Sequence, residues 1–299
     1  MSMSAAPAGV GAAGMGVESA CDGIRRRPAD WSGACRRSLG VVSASGASCL
    51  EGGGRVAEDA AVSRPRFFCP DLHSKSAVLS GDEARHAWRV LRLRAGDAAE
   101  LFDGRGGHAT ARVIGGGPDR VELMVLELRE IARPSKSLHV AVALPKGERA
   151  DWLIEKLAEF GVTSLIPLRA ARGVSIPAAT RIERWNRKAE AAAKQSGASF
   201  LLAVRPARTP AELTAEWSCY DRVLLADPSP QAEWLSAGIA ALGGGATLAL
   251  IGPEGGFTAD EQRIMEAAGA RRVRLSATVL RIETAALAMA AAWAMAGSV

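Results

Sequence analysis

The stretch LALIGPEGGFTADE, residues 248–261, carries an apolar run that passes directly into a turn rich in glycine. Gly252 has no side chain, so another molecule can approach the backbone closely there. Thr258 and Glu261 have the spacing of a capping box, which predicts that a helix begins at this point. The stretch therefore predicts a strand, a turn and a helix. Two interpretations of the turn stay open, a capped βα connection or a loop that holds a ligand beside Glu254.

Apolar strands alternate with helices on both sides of this stretch. Buried strands are predicted at SLHVAVAL, VTSLIPLRA, DRVLLAD and RRVRLS. Helices are predicted at RADWLIEKLAEFG, RIERWNRKAEAAAKQSG and the Ala-rich end of the chain. Continuous apolar strands separated by helices are typical of a mainly parallel sheet covered on both faces. We therefore predict an α/β domain over residues 133–299.

Residues 64–132 have a different pattern, with short alternating strands and the turn sequences DGRGG and GGGPD. Such a pattern predicts a small β-rich domain. Within it, SGDEARHAWRVLRLRAGD predicts a helix, because Ser80 and Glu83 also have the spacing of a capping box. Cationic side chains follow at Arg85, His86, Arg89, Arg92 and Arg94.

Residues 1–63 consist mostly of small residues without periodicity. This composition predicts disorder and no fold of its own. Enrichment in Arg and Ser resembles an organellar transit peptide, but the acidic residues in the segment argue against that interpretation. A misassigned start codon is the third alternative.

The distribution of charge favours a polyanionic partner. The net charge is +5, but residues 131–208 hold 14 Lys and Arg against 6 Asp and Glu, an excess of +8. A basic segment favours RNA or DNA ahead of an acidic membrane, and an exposed basic face without a partner is the alternative. CxxC and HExxH patterns are absent from the sequence, and no apolar run reaches the roughly 20 residues that cross a bilayer. We therefore expect neither a metal nor a membrane as partner.

The usual nucleotide and hydrolase motifs GxGxxG, GxxxxGK[ST] and GxSxG are absent from the sequence. A second notable segment is LSATVLRIETAALAMAA, residues 275–291, where Arg281, Glu283 and Thr284 stand at the predicted start of a helix. Capping and the helix dipole explain a carboxylate and a hydroxyl there. A cation at a helix start is unfavourable unless it serves a partner, so Arg281 is a candidate functional residue.

The motifs PKGERADWLIEKLAEFGV, IPL, RWNRKAEAAAKQSG, LALIGPEGGFTADE and VLRIETAALA, in this order, resemble the RsmE family, the 16S rRNA uridine-N3 methyltransferases of the SPOUT class. The resemblance begins near Pro65 and continues to the C-terminus. It implies a PUA-like, β-barrel-like RNA-binding domain followed by an α/β domain with a deep trefoil knot. It also implies a homodimer that acts on 16S rRNA in the 30S subunit. The implied location is cytoplasmic, or organellar if residues 1–63 are a transit peptide.

In that family the loops of the knot bind S-adenosylmethionine, which implies cofactor contacts from residues 225–229, 250–256 and 275–281. The expected cofactor-binding residues are Leu225, Ala226, Leu250, Ile251, Gly252, Pro253, Glu254, Gly255, Gly256, Leu275, Ser276 and Leu280. The family pattern LGxRILRTETA is not matched fully. Ser276 replaces its glycine, and Thr278 replaces a basic residue.

The resemblance also implies roles in catalysis and RNA binding. We hypothesise that Arg281 stabilises the oxyanion of uracil, that Glu283 orients the base or assists removal of the N3 proton, and that Thr284 completes the catalytic set. Glu254 is an alternative orienting residue. The expected RNA-binding residues are Arg64, Arg66, His86, Arg89, Arg92, Arg94, Lys146, Arg149, Arg169 and Arg172. Two other functions stay open, a SPOUT enzyme acting on another RNA such as a tRNA ribose, and an inactive dimeric RNA-binding protein.

Overall fold

The computed structural model describes residues 64–72, 75–173 and 177–296, so the disorder predicted for residues 1–63 lies outside the described part. Within these ranges, no helix is long and apolar enough to cross a membrane.

Contacts between Cα atoms divide the described chain into two compact units. The first comprises residues 64–133 and 193–201, and the second comprises residues 134–192 and 202–296. The sequence prediction assigns residues 193–201 to the second domain, whereas their contacts group them with the first unit.

The first unit is built on a five-stranded sheet with the order β1-β3-β4-β5-β2. Its elements are β1 Arg66–Phe68, β2 Ser76–Ser80, α1 Gly81–Arg85, β3 Ala98–Phe102, β4 Gly107–Gly116 and β5 Arg120–Glu130. β1 pairs parallel with β3, and the other neighbouring strands pair antiparallel. Alternate side chains such as Phe67, Leu79, Leu101 and Leu123 are fully buried in its core.

The capping box predicted at Ser80 and Glu83 is wrong. Ser80 is the N-cap residue of α1, but its side chain makes no capping hydrogen bond. The carboxylate of Glu83 instead accepts hydrogen bonds from the backbone N–H of Phe68 at 3.3 Å and from the ammonium group of Lys194. α1 has five residues, and the chain continues from it into a π-helical turn at His86–Val90.

The second unit is a seven-stranded parallel sheet with the order β10-β12-β9-β11-β6-β7-β8, which confirms the predicted α/β class. Its strands are β6 Lys136–Val142, β7 Ser164–Pro167, β8 Ala203–Val204, β9 Arg222–Ala226, β10 Glu233–Trp234, β11 Gly245–Ile251 and β12 Arg271–Arg274. Its helices are α2 Glu148–Glu159, α3 Ala179–Ser196, α4 Pro210–Thr214, α5 Ala259–Ala267 and α6 Ile282–Met295. Short 3-10 segments lie at Trp217–Cys219 and Leu235–Gly243.

Strand β11 is buried on both faces, which explains its unbroken apolar sequence. Ala249 and Ile251 join the core that packs under α2, α3 and α6. Leu248 and Leu250 join the opposite core, which includes side chains of α4 and α5. Because β11 lies between β9 and β6, the loop that follows it emerges in the middle of the sheet. Ligands of open parallel sheets bind at this carboxyl edge, where the connections leave the strands.

Candidate functional site

The turn after β11 requires glycine at two positions. A Cβ atom at Gly252 would lie 2.8 Å from the ring of Phe257, which is buried. Gly256 has a φ of +69°, a left-handed conformation that other residues adopt at a cost. Its N–H donates to the carbonyl of Pro253 at 2.8 Å and closes the turn. The backbone of residues 252–256 is therefore accessible to another molecule at its glycines, which have no side chains to cover it.

The capping box predicted at Thr258 and Glu261 is confirmed. The N–H of Glu261 donates to Oγ1 of Thr258 at 3.2 Å, and the N–H of Thr258 donates to Oε2 of Glu261 at 2.8 Å. Oε1 of Glu261 accepts a further hydrogen bond from the N–H of Ala171 at 2.7 Å. Arg172 donates to the carbonyl of Gly255 at 2.8 Å. The loop after β7 therefore contacts both the glycine turn and the first turn of α5.

A cavity of about 390 Å³ opens where the loops after β9, β11 and β12 meet. Most residues expected to bind the cofactor line it: Ala226, Ile251, Gly252, Pro253, Glu254, Gly255, Gly256, Leu275, Ser276 and Leu280. Leu225 and Leu250 do not line it, because both lie in the core beneath the sheet edge. The cavity has the size and the mostly apolar walls of a small-molecule site.

Asp227, Pro228, Thr278 and Val279 also line the cavity, and they lie within the loops that the resemblance implies. Sequence reasoning missed Phe257, Gln262, Ile282 and Ala285, which lie outside those loops. Gln262 lies in the first turn of α5. The only signal in the sequence for its position at the cavity is its closeness to the predicted start of that helix. Within the described ranges, no group of three His, Cys, Asp or Glu side chains is arranged to hold a metal ion.

Asp227 brings a buried carboxylate to the wall of the cavity. Burial alone would raise the pKa of Asp227. Hydrogen bonds from the N–H of Ser229 at 2.8 Å and from Nε of Arg272 at 2.6 Å outweigh that effect and lower this pKa below its ordinary value. Asp227 is therefore a carboxylate paired with Arg272 at the wall of the cavity.

The expected catalytic residues lie at the start of α6, next to the cavity. Arg281 is the exposed N-cap residue of α6, and its neighbours Leu280 and Ile282 both line the cavity. Thr284 is exposed on the first turn, whereas Glu283 is buried. Oε2 of Glu283 is buried and has no hydrogen-bond partner among the described residues.

Oε1 of Glu283 has a cationic neighbour. Nη1 of Arg149, in the first turn of α2, lies 3.5 Å from this oxygen. The same nitrogen lies 3.5 Å from Oε1 of Glu254 in the glycine turn. Arg149, expected to bind RNA, therefore stands between two carboxylates of the candidate site.

Comparison with known proteins identifies the family. A model of the RNA methyltransferase domain matches residues 132–294, and a model of the RNA methyltransferase PUA domain matches residues 79–126. Ribosomal RNA small subunit methyltransferase E of Bacillus subtilis is 32% identical over 221 residues, covering 70% of this chain and 86% of the relative. The enzyme of the same name from Mycobacterium bovis is 33% identical, covering 70% and 82%.

The chain belongs to the ribosomal RNA small subunit methyltransferase E family. Solved structures agree with this assignment. The family member from Neisseria gonorrhoeae, determined bound to S-adenosyl methionine, is 30% identical with a TM-score of 0.68, covering 77% of this chain and 96% of that chain. A methyltransferase from Legionella pneumophila, in complex with the same cofactor, is 26% identical with a TM-score of 0.70, covering 78% and 97%. The PUA-like and methyltransferase domains implied by the RsmE resemblance are thus confirmed.

The two departures from the family pattern contact each other. Oγ of Ser276 lies 3.2 Å from Oγ1 of Thr278, and the N–H of Thr278 donates to the same Ser276 oxygen at 3.2 Å. Arg274 adds donors to the carbonyls of Ser276 at 3.0 Å and Ala277 at 2.9 Å. A local hydrogen-bonded turn therefore shapes this cavity loop, where the family pattern has a glycine and a cation.

The residues of the first unit expected to bind RNA fall into two groups. Arg66 has partners within the unit, because its guanidinium lies 4.0 Å from the centre of the Phe102 ring and donates to two backbone carbonyls. Arg94 covers Trp88 at 4.4 Å. Arg89 and Arg92 are exposed and have no recorded partner in the described ranges. The exposed residues Arg64 and His86 complete the list, and the ring of His86 makes an edge contact with Phe67.

Ion pairs occupy much of the basic segment in the described chain. Eight of its fourteen cations form them: Arg149, Lys156, Arg169, Arg184, Lys188, Lys194, Arg205 and Arg208. Between α2 and α3, the carboxylate of Asp151 forms an ion pair with Arg184 and accepts a hydrogen bond from the indole N–H of Trp185 at 2.8 Å. Arg169 pairs with Glu212 at 2.6 Å. Lys146 is exposed and has no recorded partner among the described residues.

Proposed function

We propose that this chain transfers a methyl group from S-adenosylmethionine to N3 of a uridine in 16S rRNA, within the 30S subunit. The observation that carries the proposal is the start of α6. Exposed Arg281 and buried Glu283, which has one carboxylate oxygen without a hydrogen-bond partner among the described residues, lie there. They are next to the cavity formed by the loops after β9, β11 and β12.

The residues of the cavity fit the cofactor. Its volume and mostly apolar walls suit a nucleoside, and the bare backbone at Gly252 and Gly255 offers hydrogen-bonding groups at close range. The carboxylate of Asp227, at the wall of the cavity, is an acceptor for the hydroxyl donors of such a ligand. When bound, S-adenosylmethionine supplies an electrophilic methyl group on a sulfonium centre. The cofactor-binding residues named from the sequence, apart from Leu225 and Leu250, are proposed to hold it.

The residues of α6 supply the complementary chemistry. Uracil must lose the N3 proton as the nitrogen is methylated, and negative charge then develops on its carbonyl oxygens. A carboxylate is a weak base for such a proton, so proton removal alone is insufficient. We assign Glu283 as the proton acceptor through its unpartnered Oε2, and Arg281 as the group that stabilises the oxyanion. Thr284, exposed beside them, is proposed to contact the base.

Arg89 and Arg92 are proposed as the RNA contacts of the first unit. Both are exposed, and Arg92 has a φ of +56°, a conformation rare for residues other than glycine. Such strain is found where the surroundings hold a side chain in a functional position. In the second unit, Lys146 is proposed to contact the RNA backbone.

The domain boundaries, the trefoil knot, the homodimer and the cytoplasmic location stay predictions. The relatives named for small-subunit rRNA methylation support 16S rRNA as the substrate. A tRNA ribose as substrate, or binding without catalysis, are alternative outcomes of the same experiment.

Purified protein is incubated with labelled S-adenosylmethionine and with either under-methylated 30S subunits or tRNA. Digestion and mass spectrometry of the nucleosides then identify the product. We expect 3-methyluridine in 16S rRNA, and a loss of about 10²-fold or more in rate for Arg281→Ala and for Glu283→Gln. Arg263→Ala is the matched control, because Arg263 is exposed on α5 and pairs with Asp260 of its own helix. A 2′-O-methyl product, or full activity of Arg281→Ala, would refute the assignment.

A further inference from the structure

One guanidinium joins three segments that the sequence singled out separately. Arg149 belongs to α2, Glu254 to the glycine turn after β11, and Glu283 to the first turn of α6. Nη1 of Arg149 lies 3.5 Å from an oxygen of each carboxylate. Charge-assisted hydrogen bonds are shorter, at about 2.7–2.9 Å. The guanidinium is therefore shared between the two carboxylates and is not committed to either.

The two carboxylates differ in their exposure to water. The side chain of Glu254 is 67% exposed, and that of Glu283 is 10% exposed. Water and salt screen the first pair strongly and the second pair weakly. Arg149 therefore acts mainly on the position of Glu283, while Glu254 forms a weaker link from the same nitrogen to the glycine turn.

The titratable groups Asp151, Lys136 and His139 of the neighbouring elements α2 and β6 are directed away from Glu283. On α2, Asp151 faces α3 and the Trp185 indole. On β6, Lys136 approaches the far end of α6 at Trp293, and His139 lies on the opposite face of the sheet, beside Ser164. Arg149 is thus the cation within ion-pair distance of Glu283 in the described part of the chain.

We infer that Arg149 is a positioning residue for Glu283, and that its second contact, with Glu254, couples this position to the cofactor loop. The inference rests on the proposed function, because Glu283 is the proton acceptor there. Glu283 has one free oxygen and one oxygen beside Arg149, so this contact determines which oxygen faces the substrate. Without Arg149, the buried carboxylate is free to rotate toward another donor.

Double-mutant cycles test this inference with single-turnover methylation of 30S subunits. In the native background, Arg149→Met is expected to lower the rate about tenfold or more, which is small beside the loss for Glu283→Gln. In the Glu283→Gln background, the same change is expected to alter the rate by less than about twofold, because residues that act as a unit are not additive. Arg149→Lys keeps the charge and is expected to recover most of the rate. An equal loss in both backgrounds would show a general structural role and would overturn the inference.

Calorimetric titration with S-adenosylmethionine tests the contact between Arg149 and Glu254 through binding affinity, independently of methyl transfer. Arg149→Met and Glu254→Gln are each expected to weaken binding about two- to fivefold, the range of exposed ion pairs. The effect of Arg149→Met is expected to be smaller in the Glu254→Gln background than in the native one, because a direct contact of Glu254 with the cofactor is missing from both members of that comparison. Additive losses, or none, would overturn the coupling. Should Arg149→Met fail to fold, Arg149→Gln, which also removes the charge, replaces it in both cycles, with the same criterion of additivity.

The two conclusions can fail separately. A folded native protein that transfers no methyl group to 30S subunits refutes the proposed function, and the calorimetric cycle then decides the coupling. An active native protein with additive losses refutes the inference about Arg149 and leaves the proposed function standing.

Discussion

Gly252→Ala tests whether steric contact with Phe257 determines the shape of the cofactor loop. The new Cβ atom would lie 2.8 Å from Cε2 and 2.9 Å from Cδ2 of the ring, whereas carbon atoms in contact are normally about 3.5–4.0 Å apart. The ring is 7% exposed, so the core resists its movement. Overpacking of this kind costs about 1–3 kcal/mol of unfolding free energy. Because the φ of Gly252 lies outside the left-handed region, this cost is steric.

The assays are urea denaturation and calorimetric titration with S-adenosylmethionine. We expect a lower denaturation midpoint, together with about tenfold weaker binding, because the loop must move by nearly 1 Å to relieve the contact. Gly255→Ala is the matched control, since its Cβ atom would lie 3.5 Å from Cδ of Arg172, an ordinary contact. Gly256→Ala separates backbone strain from contact, because its Cβ atom meets nothing within 4 Å but φ is +69°. Equal stability of the Gly252→Ala and Gly255→Ala variants would refute the reasoning.

Three further predictions concern the surroundings of the site. Thr258→Ala removes a helix cap and is expected to cost about 1 kcal/mol in urea denaturation, and an unchanged midpoint would contradict this role. Trp185→Phe removes the indole donor from buried Asp151 and is expected to cost about 1–3 kcal/mol, measured in the same way, with no loss as the contrary result. Asp227 has a lowered pKa, so it stabilises the fold above the unfolded value of about 3.9, and this contribution is lost as pH falls through the folded value. Asp227→Asn is therefore expected to flatten the acid side of the stability profile, and an unchanged slope would speak against it.

Two sequence patterns with the same capping-box spacing show what can and cannot be predicted from local sequence. The pair Thr258 and Glu261 forms the expected capping box, because the distant N–H of Ala171 binds the other carboxylate oxygen and leaves Oε2 to Thr258. Ser80 and Glu83 have the same spacing, but Glu83 contacts Lys194, more than a hundred residues further along the chain. A pattern cannot report such a partner. Propensity and periodicity therefore predict elements well, and they fail where a distant side chain captures a local one.

The candidate site was predictable to a similar degree. The glycine turn and the start of α6 follow from residue chemistry, since Gly252 lets a ligand approach the backbone and a cation such as Arg281 is unfavourable at a helix start. Their convergence on Arg149 depends on three segments that only the fold brings together. Likewise, the sequence shows Arg66 only as a cation, and the fold places its planar guanidinium over the Phe102 ring.

The ion pairs of the basic segment have a consequence for how binding responds to salt. A polyanion gains affinity mainly by releasing the counterions that condense on its phosphates, and one cation that contacts the backbone replaces about one such ion. Cations already neutralised by Glu83, Glu212 or Glu216, which lie outside residues 131–208, release few ions when RNA arrives. The formal excess of +8 in residues 131–208 therefore overstates the electrostatic attraction that this segment offers. Affinity for RNA is expected to fall less steeply with ionic strength than the sequence charge implies, which leaves shape and base contacts a larger share of recognition.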